Sequence, residues 1–360
     1  MEKNTYHVLG MMSGTSLDGL DLAFCRFEKT ADQWKFEIIR AEIIPYKATW
    51  KMPLSQAVSL GGEDLSRLHV DYGAFLGKQA LEFLEKYQLK PDFIACHGHT
   101  IFHQPDKRFT LQIGSGWEIA VQSGYPVIAD FRSKDLALGG QGAPLVPIGD
   151  RFLFGDYDFC LNLGGIANIS LEWQGKRIAY DVCPANMLLN NLVKGLGLEY
   201  DRGGALAAQG NLDTELLAQW DALPYYQLAP PKSLGWEWYV SEIIPLLQVN
   251  TSRIEDQLRT AITHIARQIA LAVTPYTRET QVYSFLATGG GAKNTFLMEQ
   301  IQAHLPAHIS LVIPEETIID FKEALVFAFL GVLRLREEVN CLASVTGSQK
   351  DNCGGIIFLP

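Results

Sequence analysis

Asp181 stands where a proton-transfer residue would be expected. It ends a predicted strand, and Pro184 interrupts the chain before a helical pattern whose apolar stripe starts at Met187. A carboxylate at a strand end beside a helix N-terminus can act as a general base on water or on a hydroxyl group. The same position suits an Asp that caps the helix, which is the commoner role, and Asn186 carries the same ambiguity. The residues alone leave both roles open.

A second set of polar side chains lies in the N-terminal half. His97, His99 and His103 follow a predicted strand, and Arg132 follows another. Three close histidines can ligate zinc, but Gly98 predicts a turn between them, so hydrogen bonding to a substrate or a surface position is favoured. The guanidinium of Arg132 could hold a carboxylate in a bidentate fork, or it could pair with an acid at the surface.

Glycine-rich turns recur after predicted strands. They lie in segments 10–19, 162–168, 201–210 and 287–294. Backbone N–H groups in such a turn can form a concavity that binds phosphate, and Gly14 and Gly19 are expected to permit positive φ. Asp18 and Asp21 could hold a hydrated Mg²⁺ beside the phosphates. The glycine order matches neither the Walker loop nor the dinucleotide-binding motif.

Each of these turns also has an ordinary structural explanation. Segments 10–19 and 162–168 could be simple hairpin connections, and segment 201–210 could be a close helix–helix contact. The three consecutive glycines Gly289–Gly291 are harder to explain by packing. They favour a nucleotide that lies against bare backbone.

Composition restricts the partners and the compartment. The chain has 360 residues, which predicts two domains, and its formal net charge of −10 without a Lys/Arg-rich run argues against nucleic-acid and membrane-surface partners. Cys25, Cys96 and Cys160 lie in apolar runs and form no C-x-x-C pair, as expected of buried thiols in a reducing compartment. No run resembles a signal peptide or a membrane span, so the cytoplasm is the expected location.

Strand-like runs rich in β-branched and aromatic residues alternate with helical patterns. The predicted strands are His7–Leu9, Leu20–Phe27, Phe36–Ile44, Phe93–His97, Thr110–Ile113, Val127–Ala129, Phe159–Leu163, Ile166–Leu171, Arg177–Asp181, Ser284–Thr288 and Ser310–Ile313. The predicted helices are Leu65–Tyr87, Ala185–Leu196, Ile254–Thr274 and Glu323–Asn340.

The strand–glycine turn–strand order of the opening segment returns after Asp158. This order predicts two similarly built α/β halves that face each other across a cleft, with Leu138–Pro147 as the best candidate for the crossing. The proline-rich segment Pro224–Pro231 is interpreted as an irregular surface insertion whose nearby tryptophans serve packing. Residues 354–360 are predicted to form a strand that returns to the first domain.

Taken together, the motifs make the chain resemble the anhydro-N-acetylmuramic acid kinases, over nearly its whole length. The matching stretches are G-M-M-S-G-T-S-L-D-G-L-D (10–21), C-H-G-H-T (96–100), D-F-R (130–132), G-G-Q-G-A-P-L-V-P (139–147), N-L-G-G-I-A-N-I-S (162–170), P-A-N-M-L-L (184–189), D-R-G-G-A-L-A-A-Q-G (201–210), T-G-G-G-A-K-N (288–294) and K-E-A-L-V-F-A (322–328).

The resemblance implies the α/β fold shared by actin, the heat-shock chaperone ATPases and the sugar kinases. In that fold, two RNase H-like domains flank a nucleotide cleft. The expected domains are residues 1–135 together with roughly 341–360, and residues 136–340.

The resemblance also implies an activity. The family hydrolytically opens the 1,6-anhydro ring of anhydro-N-acetylmuramic acid (anhydro-MurNAc) and phosphorylates O6, giving MurNAc 6-phosphate and ADP during peptidoglycan recycling. ATP and Mg²⁺ are the implied cofactors, and the anhydro sugar is the implied small-molecule partner in the bacterial cytoplasm. A homodimer is left open.

Site residues carry over from the family motifs by position. Asp181 resembles the catalytic base, and Asp18 is a water-mediated Mg²⁺ candidate. Arg132 would meet the lactyl carboxylate of the sugar. The implied sugar contacts are His97, Thr100, Arg132, Asn186 and Glu323. The implied ATP contacts are Gly14, Thr15, Ser16, Leu17, Asp18, Gly19, Leu20, Asp21, Gly164, Gly165, Gly289, Gly290, Gly291 and Asn294.

This chain departs from the family pattern at two places. The family usually reads D-T-G-P-A-N where this chain has Val182 and Cys183 after Asp181, so a hydroxyl and a glycine are lost. The family usually has Gln at the position of His99. Two other functions share the glycine turns: an actin-like or chaperone-like ATP-binding switch, and a kinase of another sugar.

Overall fold

Each half of the chain builds one β-sheet, in a computed structural model that describes residues 3–31 and 33–360. Unit 1 comprises the residues up to Leu153 together with Phe321–Pro360, and unit 2 comprises Phe154–Asp320. The chain therefore passes from unit 1 to unit 2 after Leu153 and returns after Asp320.

The strands and helices are as follows in chain order. The strands are β1 (Thr5–Ser13), β2 (Gly19–Thr30), β3 (Gln33–Pro45), β4 (Phe93–Gln104), β5 (Phe109–Ile113), β6 (Val127–Ala129), β7 (Phe159–Leu163), β8 (Ile166–Trp173), β9 (Lys176–Pro184), β10 (Tyr283–Thr288), β11 (Ile309–Val312) and β12 (Ile356–Phe358). The helices are α1 (Ala48–Gln56), α2 (Gly62–Tyr87), α3 (Gly116–Ser123), α4 (Ser133–Ala137), α5 (Val146–Phe152), α6 (Asn186–Val193), α7 (Ala205–Gln209), α8 (Thr214–Asp221), α9 (Trp236–Trp238), α10 (Ile244–Val249), α11 (Ile254–Val273), α12 (Thr295–His304), α13 (Glu316–Leu335) and α14 (Ala343–Thr346).

The two sheets repeat one topology. In unit 1 the order β3-β2-β1-β4-β6 consists of an antiparallel meander followed by two parallel pairings, and β12 continues the sheet antiparallel to β6. In unit 2 the order β9-β8-β7-β10-β11 has the same sequence of antiparallel and parallel pairings. This is the RNase H-like arrangement, so the predicted fold class and the predicted duplication are confirmed.

Each unit has its own apolar core. Buried side chains of β1, β2, β4 and α2 form one core cluster, and those of β7, β8, α6 and α11 form the other. Gly10 shows how tightly unit 1 is packed, since a Cβ there would lie 2.1 Å from the carbonyl oxygen of Ala324 on α13. The first glycine of the opening motif is therefore required by a helix–strand contact.

The predicted strands and helices are confirmed with two informative differences, one in a strand and one in a helix. Strand β4 does not end at His97 but continues to Gln104. The last predicted helix is displaced toward the N-terminus, because it spans Glu316–Leu335 rather than residues 323–340. Glu337 adopts a φ of 57°, and the Asn340 amide donates to the carbonyl oxygens of Leu330 (3.1 Å) and Gly354 (2.9 Å), so the chain turns there.

The expected crossing at Leu138–Pro147 lies within unit 1. The reason is that α5 packs on α13, where a Cβ at Gly149 would meet Val326 at 2.4 Å. The predicted C-terminal strand is confirmed as β12, which pairs with β6. Cys25, Cys96 and Cys160 are buried as predicted. Among the described residues, no helix is long and apolar enough to cross a membrane.

Candidate functional site

The first glycine-rich turn joins β1 to β2. The Leu17 N–H donates to the Gly14 carbonyl oxygen at 3.3 Å, and Leu17 has a φ of 59°, in the left-handed region. Gly14 and Gly19 do not use the positive φ that glycine permits, because Leu17 takes the left-handed position of the turn. Backbone strain of this kind in a non-glycine residue concentrates where loops meet ligands. Gly14 itself has room, since a Cβ there would lie 3.6 Å from the Ser16 hydroxyl.

Only part of the implied ATP segment is accessible. The exposed side chains at the tip of the turn are Thr15, Ser16 and Asp18. Gly19 already belongs to β2, where a Cβ would lie 2.7 Å from the Ile44 carbonyl oxygen, and Leu20 is buried in the core. Asp21 pairs within the same ladder. The structure therefore assigns Gly19 and Leu20 to sheet packing and leaves the tip free to meet a ligand.

A bulge in β4 determines where its histidines point. The pairing of β4 with β1 slips between Cys96 and His99, and Gly98 has a φ of 75°. A Cβ at Gly98 would meet the Ile113 carbonyl oxygen of β5 at 2.6 Å. The predicted turn at Gly98 is wrong, because the glycine forms a bulge inside a continuous strand. Bulges re-aim neighbouring side chains, here His97 and His99.

His97 orients Arg132. The Nδ1 atom of His97 lies 3.0 Å from the Gly98 carbonyl oxygen, which requires the proton on Nδ1. Its Nε2 then accepts from Arg132 Nε at 3.1 Å and from the second guanidinium nitrogen at 3.0 Å. Burial, and secondarily the charge of Arg132, hold the pKa of His97 well below its usual value, so the ring stays neutral. No sequence pattern predicts this pairing.

Arg132 is a cation held mainly by neutral groups. Besides His97, it donates to the Gly142 carbonyl oxygen at 2.8 Å, and its guanidinium lies 5.7 Å from the Phe327 ring. Burial lowers its pKa to about 10, an effect that the charge of Glu323 opposes, so Arg132 remains protonated at neutral pH. Its remaining N–H groups can receive an anion.

Glu323 is the acid whose charge raises the pKa of Arg132. Its side chain is accessible to solvent, yet desolvation by the surrounding protein raises its pKa, and the charges of Arg132 and Lys322 oppose the rise. The neighbouring Lys322 is buried and forms an ion pair of 2.7 Å with Asp150 of α5. Glu323 is therefore supported by a fixed turn of α13 and keeps its own carboxylate accessible.

Asp135 fixes the loop that supplies Gly142. Its Oδ2 accepts from the Gly142 N–H at 2.8 Å. Its Oδ1 accepts from the Thr346 hydroxyl at 2.9 Å, the Asn352 amide at 2.8 Å and the Cys341 thiol at 3.1 Å. This fully buried carboxylate ties the 139–142 loop to the C-terminal segment. Asp135 lies in the polar segment 130–135, whose composition does not distinguish a buried carboxylate from a surface one.

The three histidines of β4 do not converge. His99 Nδ1 lies 2.9 Å from the Ser13 hydroxyl, in a buried chain that continues through Tyr46. His103 lies on the exposed part of the strand, 3.2 Å from the Thr110 hydroxyl. Among the residues the structure describes, no group of three or more His, Cys, Asp or Glu side chains could hold a metal ion. Thr100 is half-buried and accepts from the Gln112 amide at 3.3 Å.

In unit 2, the three glycines of the Gly289–Gly291 loop differ in how much room the surrounding protein leaves for a Cβ. Gly289 has a φ of 81°, and a Cβ there would lie 2.6 Å from the Asn162 side chain. A Cβ at Gly291 would lie 2.7 Å from Leu163. Packing therefore accounts for these two glycines, although the sequence made the loop hard to explain by packing alone. Gly290 is different, because the nearest atom to its Cβ would be 3.9 Å away.

The second glycine turn lies beside this loop. Gly164 accepts from the Asn186 N–H at 3.1 Å, and Gly165 accepts from the Ala185 N–H at 2.8 Å. Asn186 also donates to the Leu163 carbonyl oxygen at 3.0 Å, and its side chain lies 3.2 Å from the position of a Cβ on Gly291. Asn186, predicted as a sugar contact, thus lies with the glycines predicted to meet ATP. Cβ atoms on Gly164 and Gly165 would make only ordinary contacts.

Asn294 and the 201–210 segment have structural roles. Asn294 caps α12 by accepting from the Leu297 N–H at 3.0 Å. A Cβ on Gly204 would lie 2.5 Å from the Asn294 side chain, and one on Gly210 would lie 2.0 Å from the Glu255 carbonyl oxygen of α11. The helix–helix alternative for segment 201–210 is therefore supported.

A second bulge positions Asp181. In the pairing of β8 with β9, Asn168 faces Asp181 and Ala167 faces Cys183, so Val182 is an extra residue. Helix α6 starts five residues later at Asn186, with Ala185 at its N-cap and no side-chain cap. The helix-cap alternative for Asp181 is therefore wrong.

Segment 224–234 covers Asp181. The Asp181 N–H donates to the Lys232 carbonyl oxygen at 3.2 Å, and the Tyr225 hydroxyl donates to the Asp181 carbonyl oxygen at 2.7 Å. The Leu234 N–H donates to the carboxylate at 2.8 Å. Burial raises the pKa of Asp181, and the Leu234 hydrogen bond only partly opposes the rise. The surface-insertion interpretation of this segment is incomplete, because it holds the backbone and carboxylate of Asp181.

The sequence of this chain matches one known protein family over nearly its whole length. The model of the family "Anhydro-N-acetylmuramic acid kinase" matches residues 6–360. The chain belongs to the anhydro-N-acetylmuramic acid kinase family. Curated family members from Gloeobacter violaceus (35% identical over 362 residues, 94% of this chain and 95% of that protein) and Pasteurella multocida (34% over 373 residues, 99% and 98%) carry this name.

Among solved structures, the activator of 2-hydroxyisocaproyl-CoA dehydratase from Clostridium difficile is similar, with a TM-score of 0.44 and 13% identity over 92% of this chain and 98% of that chain. The evidence for the RNase H-like fold is the strand order of the two sheets, together with the membership of this chain in the anhydro-N-acetylmuramic acid kinase family.

The structure accommodates the departures from the family pattern in D-T-G-P-A-N. Cys183 is fully buried and has no positive φ, so no glycine is needed at its position. Val182 is buried as well. His99, at the position where the resemblance implied Gln, has its Nδ1 2.9 Å from the Ser13 hydroxyl.

Proposed function

We propose that this protein is an ATP-dependent kinase that opens the 1,6-anhydro ring of anhydro-MurNAc with water and phosphorylates O6. The products are MurNAc 6-phosphate and ADP. The family match over residues 6–360 is the observation that carries this proposal. The same match gives no support to an ATP-binding switch module or to a kinase of a different sugar.

Asp181 is proposed as the general base for ring opening. Its carboxylate takes a proton from a water molecule, the water oxygen bonds to the anomeric carbon, and the bond from that carbon to O6 breaks with its electron pair on O6. The pKa of Asp181 is raised by burial, which makes the carboxylate a better proton acceptor than an exposed Asp. In the described part of the chain the carboxylate accepts one hydrogen bond, from the Leu234 N–H, which leaves lone pairs for the water.

Phosphoryl transfer follows when O6 attacks the γ-phosphorus of ATP in line and the bond to the ADP oxygen breaks. Catalysis of this step rests mainly on positioning and on charge neutralisation. The proposed phosphate contacts are the backbone of the Gly14–Asp18 turn, Gly164, Gly165 and Gly290. Cβ atoms at these glycines would clash with nothing in the protein, so their bare backbone is compatible with close approach of a phosphate.

The residues also suit a nucleotide-borne Mg²⁺. Mg²⁺ keeps several waters and needs only one or two carboxylates, and Asp18 presents an exposed carboxylate at the turn tip. When bound, the ion would neutralise phosphate charge. Asp18 is proposed to hold it through water.

Sugar recognition is proposed to rest on Arg132, with His97, Thr100 and Glu323 nearby in unit 1. The lactyl carboxylate of MurNAc is the anion that the oriented guanidinium would receive. Asn186 is proposed as a ligand contact at the Gly290 loop of unit 2, since its side chain lies beside those glycines. The proposed physiological role is cell-wall recycling in the cytoplasm.

The test is a coupled assay of ADP release with purified protein and ATP, on anhydro-MurNAc, MurNAc and N-acetylglucosamine. We expect ADP release and MurNAc 6-phosphate only with the anhydro sugar. Equal phosphorylation of MurNAc would mean that ring opening is not part of the reaction. As a companion measurement, anhydro-MurNAc should raise the unfolding temperature, because a ligand that binds only the native state stabilises it. A switch module would respond to ATP alone.

A further inference from the structure

Unit 2 contains a cavity of about 400 Å³ that the proposed reaction does not use. Its walls come from β9, from helix α11 and from segment 224–234. The residues that matter for its chemistry are Tyr180, Asp221, Tyr226, Lys232, Arg267 and Tyr276. The volume falls within the range of small-molecule sites, roughly 300–1,000 Å³.

The cavity carries an excess of positive charge. Arg267 and Asp221 form an ion pair of 3.0 Å. Lys232 has no carboxylate within ion-pair distance in the described part of the chain, and its ammonium donates to the Tyr225 carbonyl oxygen at 3.3 Å. The ammonium also lies 4.6 Å from the Tyr225 ring. A lysine that is half-buried without a counter-charge favours an anionic occupant.

The other lining groups suit a polyhydroxylated ring. Tyr180, Tyr226 and Tyr276 contribute aromatic surface to the wall. Asp221 and Gln268 add polar atoms, and the Gln268 amide donates to Asp221 at 2.9 Å, which leaves the Gln268 carbonyl oxygen to accept from a hydroxyl. Aromatic walls with a few directed polar groups are typical of ligand sites.

The wall is fixed before any ligand binds. His264, fully buried on α11, contacts the Asp221 carboxylate at 2.7 Å through Nδ1 and the Tyr226 hydroxyl at 2.9 Å through Nε2. Tyr226 packs on Trp238, with ring centroids 6.1 Å apart. Because these contacts already hold the polar side chains of the wall, little free energy is lost in ordering them when a ligand binds.

We propose that this cavity is a binding site for an anionic monosaccharide, whose phosphate or carboxylate meets Lys232 and whose ring lies against the tyrosines. None of its lining residues is a proposed contact of the sugar or of ATP, although the backbone of Lys232 and Val182 helps to position Asp181. The site is therefore a second small-molecule site, independent of the proposed function.

The test uses calorimetric titration of the full-length protein with glucose 6-phosphate, glucuronate, glucose and inorganic phosphate. We expect saturable binding of glucose 6-phosphate or glucuronate, and weaker binding of glucose and of phosphate alone. Lys232→Met should weaken binding at least ~10-fold, the scale of a hydrogen bond to a charged group. The matched control Lys194→Met changes an exposed lysine of the same unit and should have no effect.

Three further variants keep the result interpretable. Tyr276→Leu removes one ring of the wall and should also weaken binding, which serves if Lys232→Met fails to fold. Asp181→Asn and Arg132→Lys should bind the probes as the unchanged protein does, because neither residue lines the cavity. Absence of saturable binding, equal affinity for phosphate alone, or undiminished binding by Lys232→Met would overturn the proposal.

Discussion

Arg132 in unit 1 is held by His97, which lies beside the β4 bulge, and Asp181 in unit 2 lies at the β9 bulge itself, but the two surroundings act on the charges in opposite ways. Arg132 is held by a neutral histidine and a carbonyl oxygen, and with a pKa of about 10 it stays charged. Among the described residues, the Asp181 carboxylate accepts one hydrogen bond, from the Leu234 N–H, and burial raises its pKa. The first arrangement preserves a charge that can bind an anion, and the second destabilises a charge that can be lost by taking a proton.

The difference lies in what surrounds each bulge. The β4 bulge adjoins fixed side chains and the loop that Asp135 ties down. The β9 bulge adjoins segment 224–234, which covers Asp181 mainly through backbone groups. In the proposed function, anion recognition at Arg132 therefore depends on the His97 ring and the Gly142 carbonyl oxygen that hold the guanidinium, whereas the reactivity of Asp181 depends on desolvation.

The largest effect is expected for Asp181→Asn. Loss of the general base should lower turnover of anhydro-MurNAc by at least ~10²-fold. The affinity for ATP, measured by calorimetry, should be unchanged. Asp156→Asn, which alters an exposed Asp of the same unit, is the matched control and should turn over normally. Near-normal turnover by Asp181→Asn would remove the assigned role.

Arg132→Lys should mainly impair sugar binding. Lysine keeps the charge but loses the planar fork and the paired contact with His97, so KM for anhydro-MurNAc should rise roughly 10-fold or more while kcat changes less. An anhydro sugar that lacks the lactyl group provides the control. If the guanidinium meets the lactyl carboxylate, this analogue should show the same KM with both proteins, and a parallel loss for both sugars would contradict the assignment.

Gly289→Ala and Gly290→Ala should separate packing from ligand contact. Gly289→Ala should lower the unfolding temperature, because its φ of 81° and the 2.6 Å approach of Asn162 leave no room for a Cβ. Gly290→Ala should fold normally and raise KM for ATP several-fold, as a methyl group obstructs the phosphate. The assignment of Gly290 to the nucleotide is lost if ATP affinity and KM stay unchanged in a folded Gly290→Ala protein.

A smaller effect is expected on stability. An Asp whose pKa is raised in the folded state favours folding fully below its unfolded pKa, and that contribution is lost as the pH rises through the folded pKa. The charged carboxylate therefore destabilises the fold at pH 7. Asp181→Asn should unfold at an equal or higher temperature at pH 7, and the difference should shrink as the pH falls through the raised pKa. Clear destabilisation by Asn at pH 7 would indicate a structural brace.

The sequence predicted the parts of the fold that depend on local pattern. Strand runs such as Phe159–Leu163 and helix α2 follow from side-chain composition and periodicity, and the duplicated order of elements follows from the spacing of these patterns. Asp181 and Arg132 could be selected because their residue types and motif positions are visible in the chain.

The remaining features depend on contacts between distant segments. The bulge at Gly98 arises where β4 meets β1 and β5, and the need for glycine at position 289 arises from Asn162. Likewise, the hydrogen bond that Arg132 donates to His97 joins residues that are 35 positions apart. Segment 224–234 has no periodic pattern, so its hydrogen bonds with Asp181 could not be predicted from composition.

The most direct test of the central claim, that Asp181 is a desolvated general base, is the pH dependence of kcat/KM for anhydro-MurNAc at saturating ATP. A base must be deprotonated, so activity should fall as the pH decreases through the pKa of Asp181, with a midpoint above that of an ordinary Asp. This acid limb should be absent from the residual activity of Asp181→Asn. An acid limb that persists unchanged in Asp181→Asn would contradict the account.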